Sequence, residues 1–345
     1  MTAINLIKDI VKNNYSIINL YRLQTNSISG AQARMKVQFN TLAQWFDNDI
    51  AKNNFEKCSD ETIDWIRCIP FVGLHLGCFA VFLVGWSVPA IITALILYAV
   101  RMFAITGFYH RYFSHRSFKT TRFVQFCFAV LGASAVQRGP LWWSSYHRYH
   151  HKHSDTKKDI HSPLQSGFWK SHMFWFMGKS NFPTKKDLIS DLNRFPELRM
   201  LDRFDIVIPV LLAVGLIIFG DLLDTYKPEW GADGPQLFVW GFIISTVFLF
   251  HGTCSTNSLA HKFGTKRYVT GDDSRNNLFI SLITLGEGWH NNHHHYPNSV
   301  NQGFYWWEVD ITFWILKFLS WFGIIWDLKK VPANILSSSL ISQRT

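Results

Sequence analysis

The sequence of 345 residues is poor in charge, since Asp, Glu, Lys and Arg make up only 17% of it, against roughly 25% in soluble domains. Its five cysteines are odd in number and contain no CxxC pair, which argues against a disulfide framework, a zinc ribbon and a fused rubredoxin. The sequence also has no haem-binding HPGG and no GxGxxG fingerprint. Its first residues show no apolar core followed by a cleavage site, so we expect no secretory signal.

Apolar residues, by contrast, are abundant: they form 48% of the chain, with 15 Trp and 30 Phe. A helix needs about 20 mostly apolar residues to cross the hydrocarbon core. Four stretches meet this length, at Cys68 to Trp86, Val88 to about Phe108, Ile206 to Leu223 and Leu237 to about Gly252. A short turn at Gly85 to Pro89 joins the first two as a hairpin, and the acidic loop DTYKPEWGADGPQ joins the last two. Membrane insertion is expected to rely on these internal spans.

The basic residues are distributed unevenly around these spans. Of the 34 Lys and Arg, 8 precede the first span, 17 lie between Arg101 and Arg203, one is Lys227 in the second hairpin loop, and 8 follow the fourth span. Cytoplasmic loops carry the excess of basic residues, which predicts that both termini and the central segment are cytoplasmic. Arg101 lies inside the second apolar run, and we expect its side chain to snorkel to the interface.

Two further apolar stretches, Phe123 to Val136 and Ile311 to Trp326, are shorter or broken by polar residues. We interpret them as helices in the interface plane, with a fifth and sixth span as the alternative. The predicted fold is an all-α integral membrane protein with a helical cytoplasmic cap. Its predicted divisions are an N-terminal segment (1–67), the first hairpin (68–109), the cap with two histidine motifs (110–205), the second hairpin (206–256) and the cap with the last motif (257–345).

Histidines cluster beside the predicted cytoplasmic ends of the spans. The clusters read HRYFSH, HRYHHKH, NSLAH and HNNHHH, and their candidate ligands are His110, His115, His147, His150, His151, Asn257, His261, His290, His293 and His294. Residues three and four apart on a helix face the same way, so each HxxHH is expected to form one ligand face. His110 and His115 are five apart, about 140° around an ideal helix, so the helix is expected to loosen between them.

Nine imidazoles exceed the four ligands of a tetrahedral zinc and suit two metals of higher coordination number. The remaining histidines, His75, His153, His161, His172, His251 and His295, fall off these patterns or stand alone. We interpret them as structural residues or as supports for the ligands.

The four motifs together resemble those of the membrane fatty-acyl desaturases, the stearoyl-CoA delta-9 type in particular. The resemblance runs from about Cys68 to Trp307 and rests on HRYFSHRSF, HRYHHKHSD, NSLAHKFG and GEGWHNNHHHYP, in that order. It implies a four-span stem under a cap, with two irons bound by the nine histidines and with Asn257 holding a water that ligates one iron. The partition of the histidines between the irons stays open.

The resemblance also implies the chemistry, in which O₂ is the co-substrate and a cis double bond, most simply at delta-9, is inserted into a saturated fatty-acyl chain. An unactivated methylene has no acidic proton and no leaving group, so the cofactor must supply the oxidising power. O₂ reduction takes four electrons and the acyl chain supplies two. A separate carrier such as cytochrome b5, ferredoxin or rubredoxin, with an NAD(P)H reductase, is therefore expected, whereas a nucleic-acid partner is not.

Five residues match family positions that shape the substrate tunnel. Gln137, Trp143 and Thr253 match residues at its kink, and Tyr98 and Met102 match positions that limit chain length. A bulky Met at position 102 predicts a preference for palmitoyl over stearoyl chains. Ordinary core packing is the alternative for all five.

One position departs from the pattern, because Ser145 stands where eukaryotic members place an Arg that grips coenzyme A. Arg138 and Lys152 are possible replacements, and the acyl carrier, coenzyme A or a membrane lipid, stays open. The QRGPLWW segment resembles bacterial members, which favours a bacterial inner membrane over the endoplasmic reticulum. The alternatives in function are a hydroxylase, ketolase or alkane oxygenase of the same superfamily and, more remotely, a metal-binding or metal-transport membrane protein.

Overall fold

A computed structural model of the chain describes residues 43–50 and 62–341, and within these ranges the fold is mostly helical, with almost no sheet. The longer helices, in chain order, are α1 (Trp65–Val84), α2 (Val88–Ser114), α3 (Arg122–Ala133), α4 (Pro140–His153), α5 (Pro196–Arg203), α6 (Val207–Tyr226), α7 (Gly234–Ser258), α8 (Leu278–Ile283), α9 (His290–His295) and α10 (Ile311–Trp321). Shorter helical turns are Pro163–Ser166, Lys170–Phe174, Trp175–Met177, Lys179–Asn181, Lys186–Leu188, Ser190–Asn193, Pro228–Trp230 and Ala333–Leu336. Two-residue strands β1 (Lys119–Thr120) and β2 (Ile325–Trp326) pair antiparallel.

Four of these helices, α1, α2, α6 and α7, are long and apolar enough to cross a membrane, which confirms the predicted spans within a few residues at each end. Side chains such as Phe82 and Leu83 are more than four-fifths exposed, as expected of a surface that faces lipid. The protein is therefore an integral membrane protein. Most of the predicted N-terminal segment lies outside the described residues.

Local sequence sets the helix ends. Asp64 caps α1 by accepting a hydrogen bond from the Arg67 amide, and Asp233 caps α7 through the Gln236 amide, as acidic and hydroxyl side chains do at N-termini. Gly85, at a φ of 66°, reverses the chain between α1 and α2. The two hairpins are joined at this end, because the Trp240 indole donates to the Gly85 carbonyl at 2.8 Å.

The two apolar stretches predicted to lie at the interface form the helices α3 and α10. The second prediction was too long, since α10 ends at Trp321 and the chain turns at Gly323 with a φ of 67°. The following residues form β2, which pairs with β1. Large apolar side chains on α10, including Trp314, Phe318 and Trp321, are half exposed or more, as expected of a helix lying on a membrane surface.

The prediction that Arg101 snorkels to the interface was wrong. Its side chain is 1% exposed, and its guanidinium donates to the hydroxyls of Ser245 and Thr246 on α7 and to the carbonyl of Ser134 after α3. Because hydroxyl and carbonyl oxygens satisfy the guanidinium inside the protein, the side chain has no need to reach water.

Candidate metal centre and adjoining cavity

The C-terminal half of α2 is a π-helix from Ala104 to Ser114. The His115 amide donates to the His110 carbonyl at 3.2 Å, a five-residue spacing. This is the loosening that the sequence predicted, and it places His110 inside the helix and His115 at its end. The ring centroids of the two histidines are 4.8 Å apart, so the wider turn brings both side chains to one place.

The nine predicted histidines gather into two groups. The five-histidine group contains His110, His115, His147, His151 and His293. The four-histidine group contains His150, His261, His290 and His294. Within each group the potential ligand nitrogens all lie within 4.8 Å of one another.

Each HxxHH motif is divided between the two groups, which corrects the expectation of a single ligand face. His147 and His151 join one group and His150 the other, while His290 and His294 join one group and His293 the other. Positions i and i+4 differ by about 40° around a helix, whereas neighbouring positions differ by about 100°. The i, i+4 pair therefore shares a group, and the third histidine points to the other.

Nε2 atoms converge inside each group. His115 and His151 each bring Nε2 within 3.0 Å of Nε2 of His147, and His261 and His290 are 3.0 Å apart in the same way. Ring nitrogens that crowd together in this manner bring several lone pairs to one point, which is the arrangement that a metal cation requires.

Carboxylates hold the opposite nitrogen of four of these rings. Their Nδ1 atoms contact acidic side chains in the pairs His110–Glu287, His150–Asp159, His261–Asp155 and His294–Asp272. A ring that donates Nδ1–H to a carboxylate keeps the Nε2 lone pair free and becomes a stronger ligand. Nε2 of His150 and Nε2 of His294 are buried with no hydrogen-bond partner, so the residues present fit bound metal.

The electrostatics of the groups agree with this fit. Burial, reinforced by the neighbouring imidazoles, lowers the pKa of His115, His147, His151, His290 and His293 well below the usual value. Burial lowers the pKa of His294 to about 4, against the opposing effect of Asp272. For His150 burial acts in the same direction, but Asp159 outweighs it and the pKa is raised. Most of the rings are thus neutral at pH 7, the form that binds metal.

A cavity of about 280 Å³ adjoins both groups. Its wall includes His110 and His147 from the five-histidine group and His290 from the four-histidine group. Asn257, the predicted holder of a ligating water, also lines it. The rest of the wall is mainly apolar, and about half of it comes from α1, α2, α4 and α7, so part of the cavity lies between the spans.

The three predicted kink residues are brought together in the wall of this cavity. The Gln137 amide donates to the Thr253 hydroxyl at 3.0 Å, and the Trp143 indole donates to Gln137 at 3.4 Å. Trp143 also stacks on His147, with 5.1 Å between ring centroids. The cluster of Gln137, Trp143 and Thr253 therefore lies next to the five-histidine group.

The two residues predicted to limit chain length are placed differently. Met102 lines the cavity and is fully buried, eight residues before His110 on α2. Its side chain packs over Gly252 of α7, where an added Cβ would come within 2.9 Å. Tyr98 is not among the cavity-lining residues, and its hydroxyl donates to the Ile283 carbonyl at 2.7 Å.

Ser145 is fully buried and donates to the Trp142 carbonyl at 2.8 Å, so this position does not face the cavity. Arg138 does line the cavity and pairs with Asp205 at 2.7 Å. Lys152 is exposed and is not part of the wall. Of the two proposed replacements for the missing Arg, the structure therefore favours Arg138.

Four of the six histidines left out of the ligand set fall into two kinds, while His153 and His295 contact Tyr149 and Tyr268. His161 contacts His150, with the tilted rings 4.4 Å apart between centroids, and burial lowers the pKa of His161 to about 3. With Asp159 and His150 it forms a further candidate metal group. His75, His251 and His172 form a separate hydrogen-bonded chain, with successive nitrogens 3.2 and 3.0 Å apart. That chain links α1, α7 and the turn Lys170–Phe174.

Sequence reasoning missed the acidic residues that support the rings. Asp155 and Glu287 stand beside the histidine motifs, in HKHSD and GEGWH, so their proximity was an available signal. No sequence signal indicated the contacts of Arg111, which is buried in α2 and donates to Glu287 and Asp310. Its partners are more than 170 residues away along the chain, which only the fold reveals.

Comparison with known proteins agrees with this architecture. The family model for fatty acid desaturases matches residues 84–320. The chain is 36% identical to the sn-1 stearoyl-lipid 9-desaturase of Synechocystis sp., over 94% of this chain and 98% of the relative. It is 39% identical to an acyl-CoA 5-desaturase of Anemone leveillei (76% and 78% covered) and 35% identical to delta-9 acyl-lipid desaturase 1 of Arabidopsis thaliana (77% and 84% covered).

The matched region contains all four histidine motifs and three of the four spans in full. Similarity at this level also extends over two thirds or more of each of these relatives. The chain therefore belongs to the fatty acid desaturase family, whose members are oxidoreductases that act on acyl-CoA or acyl-lipid substrates.

Proposed function

We propose that this protein inserts a cis double bond at delta-9 of a saturated acyl chain, with palmitoyl preferred over stearoyl. The observation that carries the proposal is a cavity lined by both histidine groups and continued by apolar side chains between the spans. The names of the Synechocystis and Arabidopsis relatives support delta-9. The Anemone relative, named as a 5-desaturase, indicates that the position depends on details of the cavity.

Two iron ions are proposed as the cofactors, one in each histidine group, with Asn257 holding a water ligand. When bound and reduced, such a pair supplies activated oxygen that can remove hydrogen from an unactivated methylene. The protein's own residues do the remaining work. Glu287, Asp155, Asp159 and Asp272 orient the rings, and the apolar wall excludes water from the acyl chain.

The cluster of Gln137, Trp143 and Thr253 is proposed to bend the chain beside His147, so that one pair of carbons is presented to the centre. Met102 is proposed to limit the length of chain beyond the bend. Arg67 and Arg138 line the same cavity and both donate to Asn48. This charged end is suited to the phosphate of the acyl carrier, whether coenzyme A or a membrane lipid.

A separate carrier is proposed to deliver two electrons for each double bond, with cytochrome b5, ferredoxin and rubredoxin as the candidate classes. The proposed docking face is the cap, where most of the basic residues lie, because acidic carriers associate with basic surfaces. The cap is proposed to be cytoplasmic, with both termini on the same side, in a bacterial inner membrane.

The test is expression in a host that lacks its own desaturase, followed by gas chromatography of fatty-acid methyl esters. We expect new cis-9 olefins, with the sixteen-carbon product in excess of the eighteen-carbon one. A variant with His147→Ala, expressed to the same level, serves as the inactive control. Hydroxylated products in place of olefins would instead assign the chain to the hydroxylases, and unchanged lipids would contradict the proposal.

A further inference from the structure

Arg101 is a charged residue in the middle of a membrane-spanning helix, and its side chain is only 1% exposed. Ionisable side chains within spans are costly and usually have a functional reason. Arg101 lies nine residues before His110 on α2 and does not line the cavity. Any functional role of Arg101 therefore depends on the groups to which its guanidinium donates hydrogen bonds.

The hydrogen-bond partners of Arg101 in the described part of the chain are all uncharged oxygens. Nη1 donates to the Thr246 hydroxyl at 2.7 Å and to the Ser134 carbonyl at 3.2 Å. Nη2 donates to the Ser245 hydroxyl, and Nε donates to the Leu97 carbonyl at 3.1 Å. The guanidinium of Arg101 therefore links α2 and α7 to Ser134, the residue that follows α3.

Ser134 begins a short connection, Ser134–Gly139, that leads from α3 to α4. Three of its residues, Val136, Gln137 and Arg138, line the cavity. Val136 and Arg138 have φ angles of 59° and 70°, the left-handed region that a β-branched or bulky side chain rarely adopts. Strained conformations of this kind persist only where the surroundings fix them.

Several contacts fix this connection from the cap side. Arg138 pairs with Asp205, and the Tyr109 hydroxyl donates to the Arg138 carbonyl at 3.4 Å. Gly139 lies so close to Asp202 that an added Cβ would approach its Cα to 2.4 Å. From the membrane side the Arg101 guanidinium contacts the connection at its first residue.

We propose that Arg101 is a positioning residue that fixes the connection Ser134–Gly139, and through it the place of Gln137 in the cavity bend, so that it contributes to the position of the double bond. The inference rests on the proposed acyl desaturase activity. It differs from a general packing role because the guanidinium binds a connection that supplies three cavity-lining residues. If the hydrogen bonds from Arg101 are lost, the connection Ser134–Gly139 should become more mobile, and the bend of the cavity should shift relative to the histidine groups.

The experiment compares Arg101→Lys and Arg101→Gln with wild type in the same desaturase-deficient host, at matched protein levels. Lysine keeps the charge but lacks the planar guanidinium that donates to four oxygens at once. We expect both variants to give double bonds at more than one carbon, with Gln the more affected. Arg122→Gln, which removes an exposed arginine of α3 that pairs with Glu197, is the matched control and should keep a single position.

Hydrogen exchange of the purified proteins provides a readout that needs no activity. Amides of residues 134–139 should exchange about tenfold faster or more in Arg101→Gln, as expected on losing hydrogen bonds from a charged donor, while those of residues 290–295 keep the wild-type rate. Unchanged exchange in the connection, or a lower yield of product with the double bond in its wild-type position, would overturn the inference. Wild type without any olefin would instead refute the proposed function.

Discussion

At the scale of single residues, the candidate centre depends on side chains that do not themselves point at a metal. Asp155 illustrates this, since its Oδ2 accepts from His261 Nδ1 at 2.8 Å and from the Asp273 amide at 2.9 Å. Burial opposes ionisation, but the hydrogen bond from His261 outweighs it and lowers the pKa of Asp155 to about 2. The carboxylate is therefore charged at any working pH and fixes the ring.

Asp155→Asn should weaken metal binding, because the amide removes the charge that orients His261. The expected loss of affinity is about 10- to 100-fold, as for other residues that support metal ligands. Metal content and competition with a chelator would measure it. Asp224→Asn, an exposed residue at the far end of α6, is the control, and equal effects of the two substitutions would contradict the prediction.

Met102→Ala should change chain-length preference. Removing the buried side chain opens the membrane end of the cavity, so the proportion of eighteen-carbon to sixteen-carbon olefin should rise. Truncating a buried Met costs roughly 2–5 kcal/mol of stability, so protein levels must be matched by immunoblot. Met200→Ala removes an exposed methionine of α5 and should leave the profile as it is. An unchanged profile in Met102→Ala would mean that this residue serves core packing alone.

Asp202, which lies outside the histidine groups, makes the stability of the protein depend on pH. It accepts hydrogen bonds from the Trp142 amide and the Thr184 hydroxyl, both at 2.7 Å, but burial raises its pKa to about 6. Its contribution to stability is complete below its unfolded pKa of roughly 4 and is lost as pH rises through about 6. Thermal unfolding in detergent should show Asp202→Asn gaining stability relative to wild type as the pH rises from 4 to about 6, with little further change up to pH 8; a constant difference would exclude this titration.

At the scale of elements, α1 and α7 are joined to the cap by the chain of His75, His251 and His172. His251 is the middle member and uses both ring nitrogens. The chain is distinct from the two histidine groups, since none of its members belongs to either. It is therefore expected to stabilise packing rather than to bind metal.

His251→Phe should lower the stability of the protein but leave its metal content unchanged. The substitution deprives His75 and His172 of a ring partner, and each buried polar group left unpaired costs about 1–3 kcal/mol. Thermal unfolding and metal analysis of the same preparation would test both parts. His153→Phe, beside Tyr149 on α4, is the control; a parallel loss of metal in His251→Phe would show that the chain belongs to the centre.

The sequence predicted the structural features that depend on local periodicity. Length and hydropathy predicted four spans, and spacing predicted the loosened helix between His110 and His115. The HxxHH motifs were wrongly assigned to single ligand faces, although the step of about 100° between neighbouring positions of a helix already separates His150 from His151. Arg101 was misjudged because its partners on α7 are more than 140 residues away, and no local pattern identifies them.

At the scale of the whole molecule, the placement of basic residues predicts topology. Lys227 lies between α6 and α7, on the side opposite to the cap. In intact bacterial cells, a membrane-impermeant maleimide should label Lys227→Cys and spare Lys157→Cys, in a background without the native cysteines. Both positions are exposed, so a difference reports sidedness rather than burial. Labelling of Lys157→Cys alone would reverse the proposed orientation.

The two histidine groups also constrain the order of assembly. Each draws on residues on both sides of the second hairpin, from His110 or His150 to His293 or His294. During synthesis neither group can be complete until α6 and α7 have been inserted and α9 has left the ribosome. The proposed metal ions could therefore bind only to a chain whose four spans are already inserted, and their binding would link the last segment of the cap to the first.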